Sequence, residues 1–168
     1  MPKQSQSTNN ISALINTSGC FDLQFRQDTK HNRTNSPTYY HWKVQFVLTE
    51  NSQKLDILEK IKNILKCGKI HVIKGQGRYS VQNIDEIKNN ILPYFKKHHL
   101  SDKKKKDFEL WQKAVEIIYK NKGKIFSTWK KEDFRQLIDI QKKIKKYKEK
   151  PRQTKWLSTA EDLLKTLK

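Results

Sequence analysis

The chain has 168 residues and a formal net charge of +19 at neutral pH, from 36 Lys and Arg against 17 Asp and Glu. A domain with that imbalance repels itself unless a polyanion neutralises it, so nucleic acid is the first partner class to expect and an anionic membrane surface the second. Cys20 and Cys67 lack CxxC or CxxH spacing, which excludes a zinc finger and a disulfide framework, and no apolar run approaches the ~20 residues a membrane span needs.

The cations gather in runs. Before Glu50 the only acids are Asp22 and Asp28; further on, Lys96-Lys97, Lys103 to Lys106, Lys130-Lys131 and the stretch Lys142 to Lys150 concentrate positive charge. One run alone reads as a solvated helix face, but together on a short chain they point to an anionic partner. Residues 1–10 are rich in Ser, Gln and Asn with a single Lys, which predicts a loose polar segment and not a signal peptide, so the protein is expected not to be secreted.

Ile11 to Thr17 predicts a short helix capped by Asn9 or Asn10, with Ile11, Leu14 and Ile15 on one face and Gly19 ending it. Cys20 to Asp28 alternates: Phe21, Leu23 and Phe25 face one way, and Cys20, Asp22, Gln24, Arg26 and Asp28 the other. A polar loop with Asn32, Asn35, Ser36 and Pro37 follows. Tyr40, Trp42, Val44, Phe46 and Leu48 then alternate toward the core, with His41, Lys43, Gln45 and Val47 facing away. Two such strands make a long antiparallel hairpin. Ser52 is the expected cap of a helix to Leu65 that Gly68 stops, with Leu55, Leu58, Ile61, Ile64 and Leu65 at helical spacing. Lys69 to Lys74 and Arg78 to Val81 read as a shorter hairpin around Gly75-Gln76-Gly77. Neither GxGxxG nor GxxxxGK is present, so these are turn glycines and not a phosphate loop. Asn83 opens a helix that Pro93 interrupts.

The remainder reads as helical. Lys104 to Tyr119 carries Phe108, Trp111, Val115, Ile118 and Tyr119 as a stripe. Ser127 or Thr128 caps a helix from Trp129 to about Tyr147, with Phe134, Leu137, Ile138 and Ile144 inside and Pro151 breaking it. A last helix, capped by Ser158 or Thr159, reaches Leu167.

Ile11-Ser12-Ala13-Leu14-Ile15-Asn16-Thr17-Ser18-Gly19 runs straight into Cys20-Phe21 and the long hairpin. Phe46-Val47-Leu48-Thr49, Leu92-Pro93-Tyr94-Phe95, and Lys103 to Lys106 with Asp107-Phe108-Glu109-Leu110-Trp111 follow in order. In these segments, and in its order of elements, the chain resembles the single-motif LAGLIDADG homing endonucleases, well over residues 11–121 and loosely beyond. The resemblance implies an α+β fold, an αββαββα core with an antiparallel saddle sheet plus C-terminal helices. The core would cover 11–121, after a flexible segment 1–10 and before a helical extension 122–168.

In that family the last acidic residue of the motif ligates divalent cations that activate water and stabilise the leaving oxygen. Here that position is Ser18 and the other acidic position is Asn16. The resemblance therefore implies no metal and no cofactor, Mg²⁺ entering only if the protein cuts. The family's water-organising polar residue falls near Glu50 or Asn51, and its basic residue within Lys103 to Lys106, so Ser18, Glu50, Lys103 and Lys104 are the candidate catalytic positions. Two motif helices pack through small residues in the family, which puts Ser12, Ala13, Asn16 and Thr17 in a homodimer interface. The long hairpin would read base edges through Asp22, Gln24, Arg26, His41, Lys43 and Gln45, and the second hairpin adds Lys69, His71, Lys74 and Arg78. Gln24 suits adenine, Arg26 guanine, and Asp22 a cytosine amino group.

The expectation is a LAGLIDADG homing-endonuclease-like protein that binds duplex DNA or structured RNA without cutting, as a homodimer and with no membrane partner. An active Mg-dependent site-specific endonuclease is one alternative; a structural ribosomal-RNA-binding component or an intron maturase is another. The family's usual hosts point to an organelle, mitochondrion or chloroplast, or to a microbial cytoplasm.

Overall fold

The computed structural model describes residues 11–28, 34, 39–146 and 156–168. The expected caps Asn9 and Asn10, the loop residues Asn32, Asn35, Ser36 and Pro37, and the break at Pro151 lie outside these residues. The chain runs α1 (11–18), β1 (Cys20–Asp28), β2 (Tyr39–Asn51), α2 (Leu55–Leu65), β3 (Lys69–Ile73), β4 (Gln76–Val81), α3 (Ile84–Glu86), α4 (Leu92–Lys97), α5 (Asp102–Lys120), α6 (Lys131–Lys146) and α7 (Leu157–Thr166). The strands form one four-stranded sheet in the order β1-β2-β4-β3, and β4 pairs antiparallel with both β2 and β3. The fold class is α+β. Two compact units divide the chain: Met1–Asp22 with Gln45–Glu109, and Leu23–Val44 with Leu110–Lys168.

In the first unit α1 buries Ile11 and Ile15, one turn apart. It stops at Gly19, whose N–H donates to the Ile15 carbonyl at 2.9 Å. A Cβ at Gly19 would lie 2.4 Å from that same oxygen, so only glycine fits there. Phe21, Phe46, Phe95 and Phe108 meet in the core with ring centroids 5.2 to 5.7 Å apart, mostly edge to face or tilted. Register puts Leu48 opposite Tyr79 and Tyr79 opposite Ile70, which makes this the side that α2 covers. Gly77 lies on it too. A Cβ there would sit 2.4 Å from Leu55 Cδ2, so the missing side chain lets α2 close onto β4.

Local geometry departs from the sequence reading at a cap, a turn and a proline. Ahead of α2 the side-chain cap is Asn51 and not Ser52: its Oδ1 accepts from the Gln53 N–H at 2.9 Å and caps the 3-10 turn Ser52–Lys54 that leads into the helix. The second hairpin pairs Ile73 with Gln76, so its turn is Lys74-Gly75 and not Gly75-Gln76-Gly77. Both turn residues take positive φ, 49° and 75°, the two-residue turn whose twist matches the strands. Pro93 does not break its helix. A π turn, Ile87–Ile91, lets the Leu92 N–H reach the Ile87 carbonyl, and this widened turn accommodates the ring at the start of α4.

Gly68 opens β3 with φ 89°, and a Cβ on it would meet Tyr79 Cε2 at 2.6 Å. That ring cannot retreat: Tyr79 is fully buried and its hydroxyl donates to the Cys67 carbonyl at 2.8 Å. Gly68→Ala is expected to cost about 2 kcal/mol or more in backbone strain and overlap. Chemical denaturation of the two proteins checks it, and a change under about 0.5 kcal/mol would contradict the crowding.

In the second unit Phe25 sits among Trp42, Tyr40, Phe134 and Phe126, with centroids at 4.9, 5.5, 5.9 and 6.0 Å. From α5, Trp111, Ala114, Val115 and Ile117 are buried, whereas Tyr119 of the expected stripe is exposed. From α6, Phe134, Leu137, Ile138 and Ile144 are buried as expected, with Ile140 and Gln141 beside them. Neither expected cap forms. Phe126–Thr128 is a 3-10 turn in which Thr128 Oγ1 donates back to the Ile125 carbonyl, and α6 starts only at Lys131. α7 starts at Leu157, ahead of Ser158 and Thr159. Asp133 is buried and accepts from Lys120 Nζ at 2.9 Å and Asn121 Nδ2 at 3.2 Å. Burial alone would push its carboxyl up, but these two bonds and the charge on Lys120 and Lys130 hold it below the ordinary value.

Candidate nucleic-acid interface

The foot of α1 is built from one unit. Ser18 is the last helical residue and is half-buried. The next carbonyl, that of Gly19, accepts a hydrogen bond from Lys104 Nζ near the start of α5. This separates the four lysines of the 103–106 run: Lys104 reaches the motif foot, while Lys103, Lys105 and Lys106 are exposed. Asn16, one helical turn earlier than the foot's far side, accepts from the Ser101 N–H through Oδ1 at 2.9 Å and so ties α1 to the residue preceding α5. Its side chain is therefore engaged within the chain, whereas Ala13 and Thr17 are exposed and Ser12 is half-buried. Thr17 Oγ1 is turned back onto the carbonyls of Ala13 and Leu14.

The donor set at this foot does not suit Mg²⁺, which demands hard, preferably anionic oxygens in octahedral array. Ser18 offers a neutral hydroxyl, and the Gly19 carbonyl already takes an ammonium. Asp22 Oδ2 accepts from Gln45 Nε2 at 2.8 Å. Glu50 Oε1 accepts from the Asn51 N–H at 2.9 Å. Glu50 also has the strand parity of Phe46 and Leu48, the side of β2 that turns to the core, opposite to Thr49. Among the described residues no three His, Cys, Asp or Glu side chains are grouped to hold a metal.

The other side of the sheet carries most of the residues expected to read base edges. In the first unit one cross-strand row joins His71, Arg78 and Thr49; the next joins Lys69, Ser80 and Val47. Lys69 and His71 are exposed and Arg78 is half-buried, while Lys74 stands exposed at the turn. Thr49 shares this row and was not among the expected readers, although extending the alternation of β2 past Leu48 finds it. Two expected readers are placed differently. Asp22 and Gln45 are 8% and 5% exposed and bonded to each other, and Gln82 Nε2 donates to Gln45 Oε1 at 3.4 Å. Val47, also expected on the open side, is buried. Alternation tells which way a side chain points; it does not tell that adjacent strands will satisfy Asp22 and Gln45 against one another. In the second unit Arg26 and His41 are exposed, and Gln24, Lys43 and Asp28 are half-buried.

A short helix running straight into a four-stranded sheet, with further helices following it, defines an α+β class of protein. The family model for the LAGLIDADG endonuclease matches residues 11–115, and the chain belongs to that family. It is 25% identical over 93 residues to a probable intron-encoded DNA endonuclease 1 of Mycosarcoma maydis, over 55% of this chain and 31% of that protein. The chain thus spans about a third of that relative's length. Among solved structures, the homing endonuclease I-TnaI superposes with a TM-score of 0.71 at 14% identity, covering 93% of this chain and 96% of that one. The LAGLIDADG meganuclease I-AabMI, bound to uncleaved DNA, superposes with a TM-score of 0.61 at 26% identity, covering 77% of this chain and 41% of that one.

Proposed function

We propose that this LAGLIDADG homing-endonuclease-like protein binds nucleic acid through the polar side of its sheet without cutting it. The observation that carries the reading is the foot of α1, where Ser18 replaces a carboxylate and Lys104 donates to the Gly19 carbonyl. A neutral hydroxyl where the family has a carboxylate disfavours a divalent ion by charge and by donor type. The I-AabMI structure, holding uncleaved DNA on the same fold, supports duplex DNA as the partner. The net charge of +19 supports a polyanion of either kind. We further propose that two copies pair through α1, where Ala13 and Thr17 leave a small, exposed face; sedimentation at micromolar concentration should give twice the chain mass. An organellar or microbial compartment belongs to the same proposal.

Binding should need no Mg²⁺ and should persist in EDTA, and supercoiled plasmid carrying the captured site should stay intact in Mg²⁺. Crosslinking in native extract followed by sequencing supplies that site. Ser18→Asp, which restores a carboxylate, is expected to raise Mg²⁺ affinity on the order of tenfold by calorimetric titration. Mg²⁺-dependent cleavage by the wild-type protein that Glu50→Ala abolishes would instead establish the active-endonuclease alternative.

A further inference from the structure

We propose that the second unit holds a separate site for an unpaired nucleotide, in a concavity of about 620 Å³ between the start of β2, the loop after α5 and α7. The proposal uses no part of the motif foot or the second hairpin and shares only His41 with the expected duplex readers, so it stands whether or not the sheet reads a duplex.

The lining has two chemistries. Tyr39 and Tyr40 supply accessible aromatic surface among apolar neighbours, and Lys122 and Lys124 supply positive charge at the loop. Tyr39 is 53% exposed and Ile125 is 70% exposed, so two large apolar side chains of the lining are held in water. Such exposure marks a binding surface rather than a core. Flat rings beside ammonium groups are the recognition chemistry of single-stranded nucleic acid: a base stacks on the ring while its phosphate meets the cation. The volume falls within the range of sites that enclose a small molecule, so a base and its sugar fit. A net charge of +19 makes an anionic occupant the complementary one and disfavours a basic peptide.

The site is also built before any ligand arrives. Asn121 is buried and donates to the Ile117 carbonyl at 2.9 Å and to Asp133 Oδ2 at 3.2 Å, which anchors the loop at its base. Lys124 N–H donates to the Asn121 carbonyl at 3.1 Å, Gly123 takes φ 76°, and Trp129 Nε1 donates to the Lys124 carbonyl at 3.3 Å. Tyr40 is stacked on Phe25 at 5.5 Å and 11°. A loop and a ring fixed in this way lose little freedom on binding.

Fluorescence anisotropy with labelled oligothymidylate and oligouridylate, next to a duplex of the same length, tests the proposal on the full chain. Tyr39→Ala, Lys124→Ala and Ile125→Glu change exposed positions. Each is expected to weaken single-strand binding about five- to hundred-fold, the range that loss of one stacked base spans, with duplex binding held within about twofold. Tyr39→Phe keeps the ring and should restore binding, which separates loss of stacking from loss of fold. An abasic strand of equal length should bind more weakly than oligothymidylate. The tighter of the two homopolymers tells whether the nucleotide comes from DNA or RNA. Variants that leave single-strand affinity unchanged, variants that lower both affinities alike, or an abasic strand that binds as tightly as oligothymidylate would each overturn the site. So would a concavity filled by a protein partner, seen as wild-type indifference to both homopolymers.

Discussion

Raising monovalent salt from about 50 to about 200 mM is expected to weaken duplex binding by roughly 10³- to 10⁵-fold, the loss that about six to ten phosphate contacts produce through counterion release. The charge is ample for that number: 36 Lys and Arg stand against 17 acids. Placement decides which of them count. Lys69 and Lys74 are exposed on the second hairpin, and Lys69 shares the side of the sheet that carries Arg78 and His71. Neutralising Lys69 or Lys74 should lower affinity for all sequences alike and flatten the slope of log affinity against log salt by about one. Arg26 is exposed at an alternating position of β1 and should behave otherwise. Arg26→Ala should relax preference at one base pair, worth roughly 1–3 kcal/mol of discrimination, and leave the slope nearly as it was. Lys104 is a third kind of cation. Its ammonium is bonded to the Gly19 carbonyl, so Lys104→Ala perturbs the motif foot as well as the field. A wild-type slope near zero between these salt concentrations, measured by filter binding or anisotropy, would remove nucleic acid as the partner.

The elements that sequence made legible are those in which one physical signal dominates. Period-two alternation in Cys20 to Asp28 and Tyr40 to Leu48 fixes both the strands and their apolar side, because a strand with one face on the core has no other option. The order of segments led to the right family, and α+β was the right class. What the sequence hid depends on pairs of residues distant along the chain. Asp22 and Gln45 look like two exposed polar readers until β1 and β2 are side by side; then each is the other's partner. The choice among four adjacent lysines is invisible in a run of identical residues, and only the folded chain shows that Lys104 is the one bonded to the Gly19 carbonyl. Glu50 was readable in part, since its parity with Leu48 already turned it from the side of Thr49. Caps were legible only in part: Asn83 caps its helix as expected, but Asn51 lies one residue before the expected Ser52, and Asx and hydroxyl caps compete wherever several polar residues adjoin. The pocket of the second unit drew no attention because Tyr39, Lys124 and Ile125 share no motif and no period.

Trp111→Ala is expected to be the most damaging single change, at about 3–5 kcal/mol, the cost of emptying a large buried aromatic site. Trp111 is fully buried on α5 and is among the largest side chains with no solvent contact. Against a total stability of about 5–15 kcal/mol, that loss is a substantial share. At about 2–4 °C per kcal/mol for a chain of this size, Tm should fall by roughly 6–20 °C. Tyr119 provides the internal comparison. It belongs to the same predicted stripe and the same helix but is 38% exposed, so Tyr119→Ala should cost under about 1 kcal/mol. If the two variants lose equal stability, the facing of α5 described above is wrong. Added duplex DNA should raise Tm of wild type and of Trp111→Ala alike, because a ligand that binds only the folded form stabilises it by mass action whatever the depth of the core. A Trp111→Ala protein that is destabilised yet gains the wild-type increment on DNA would show that the buried side of the fold and its cationic side contribute separately. A lost increment would tie recognition to the packing of α5.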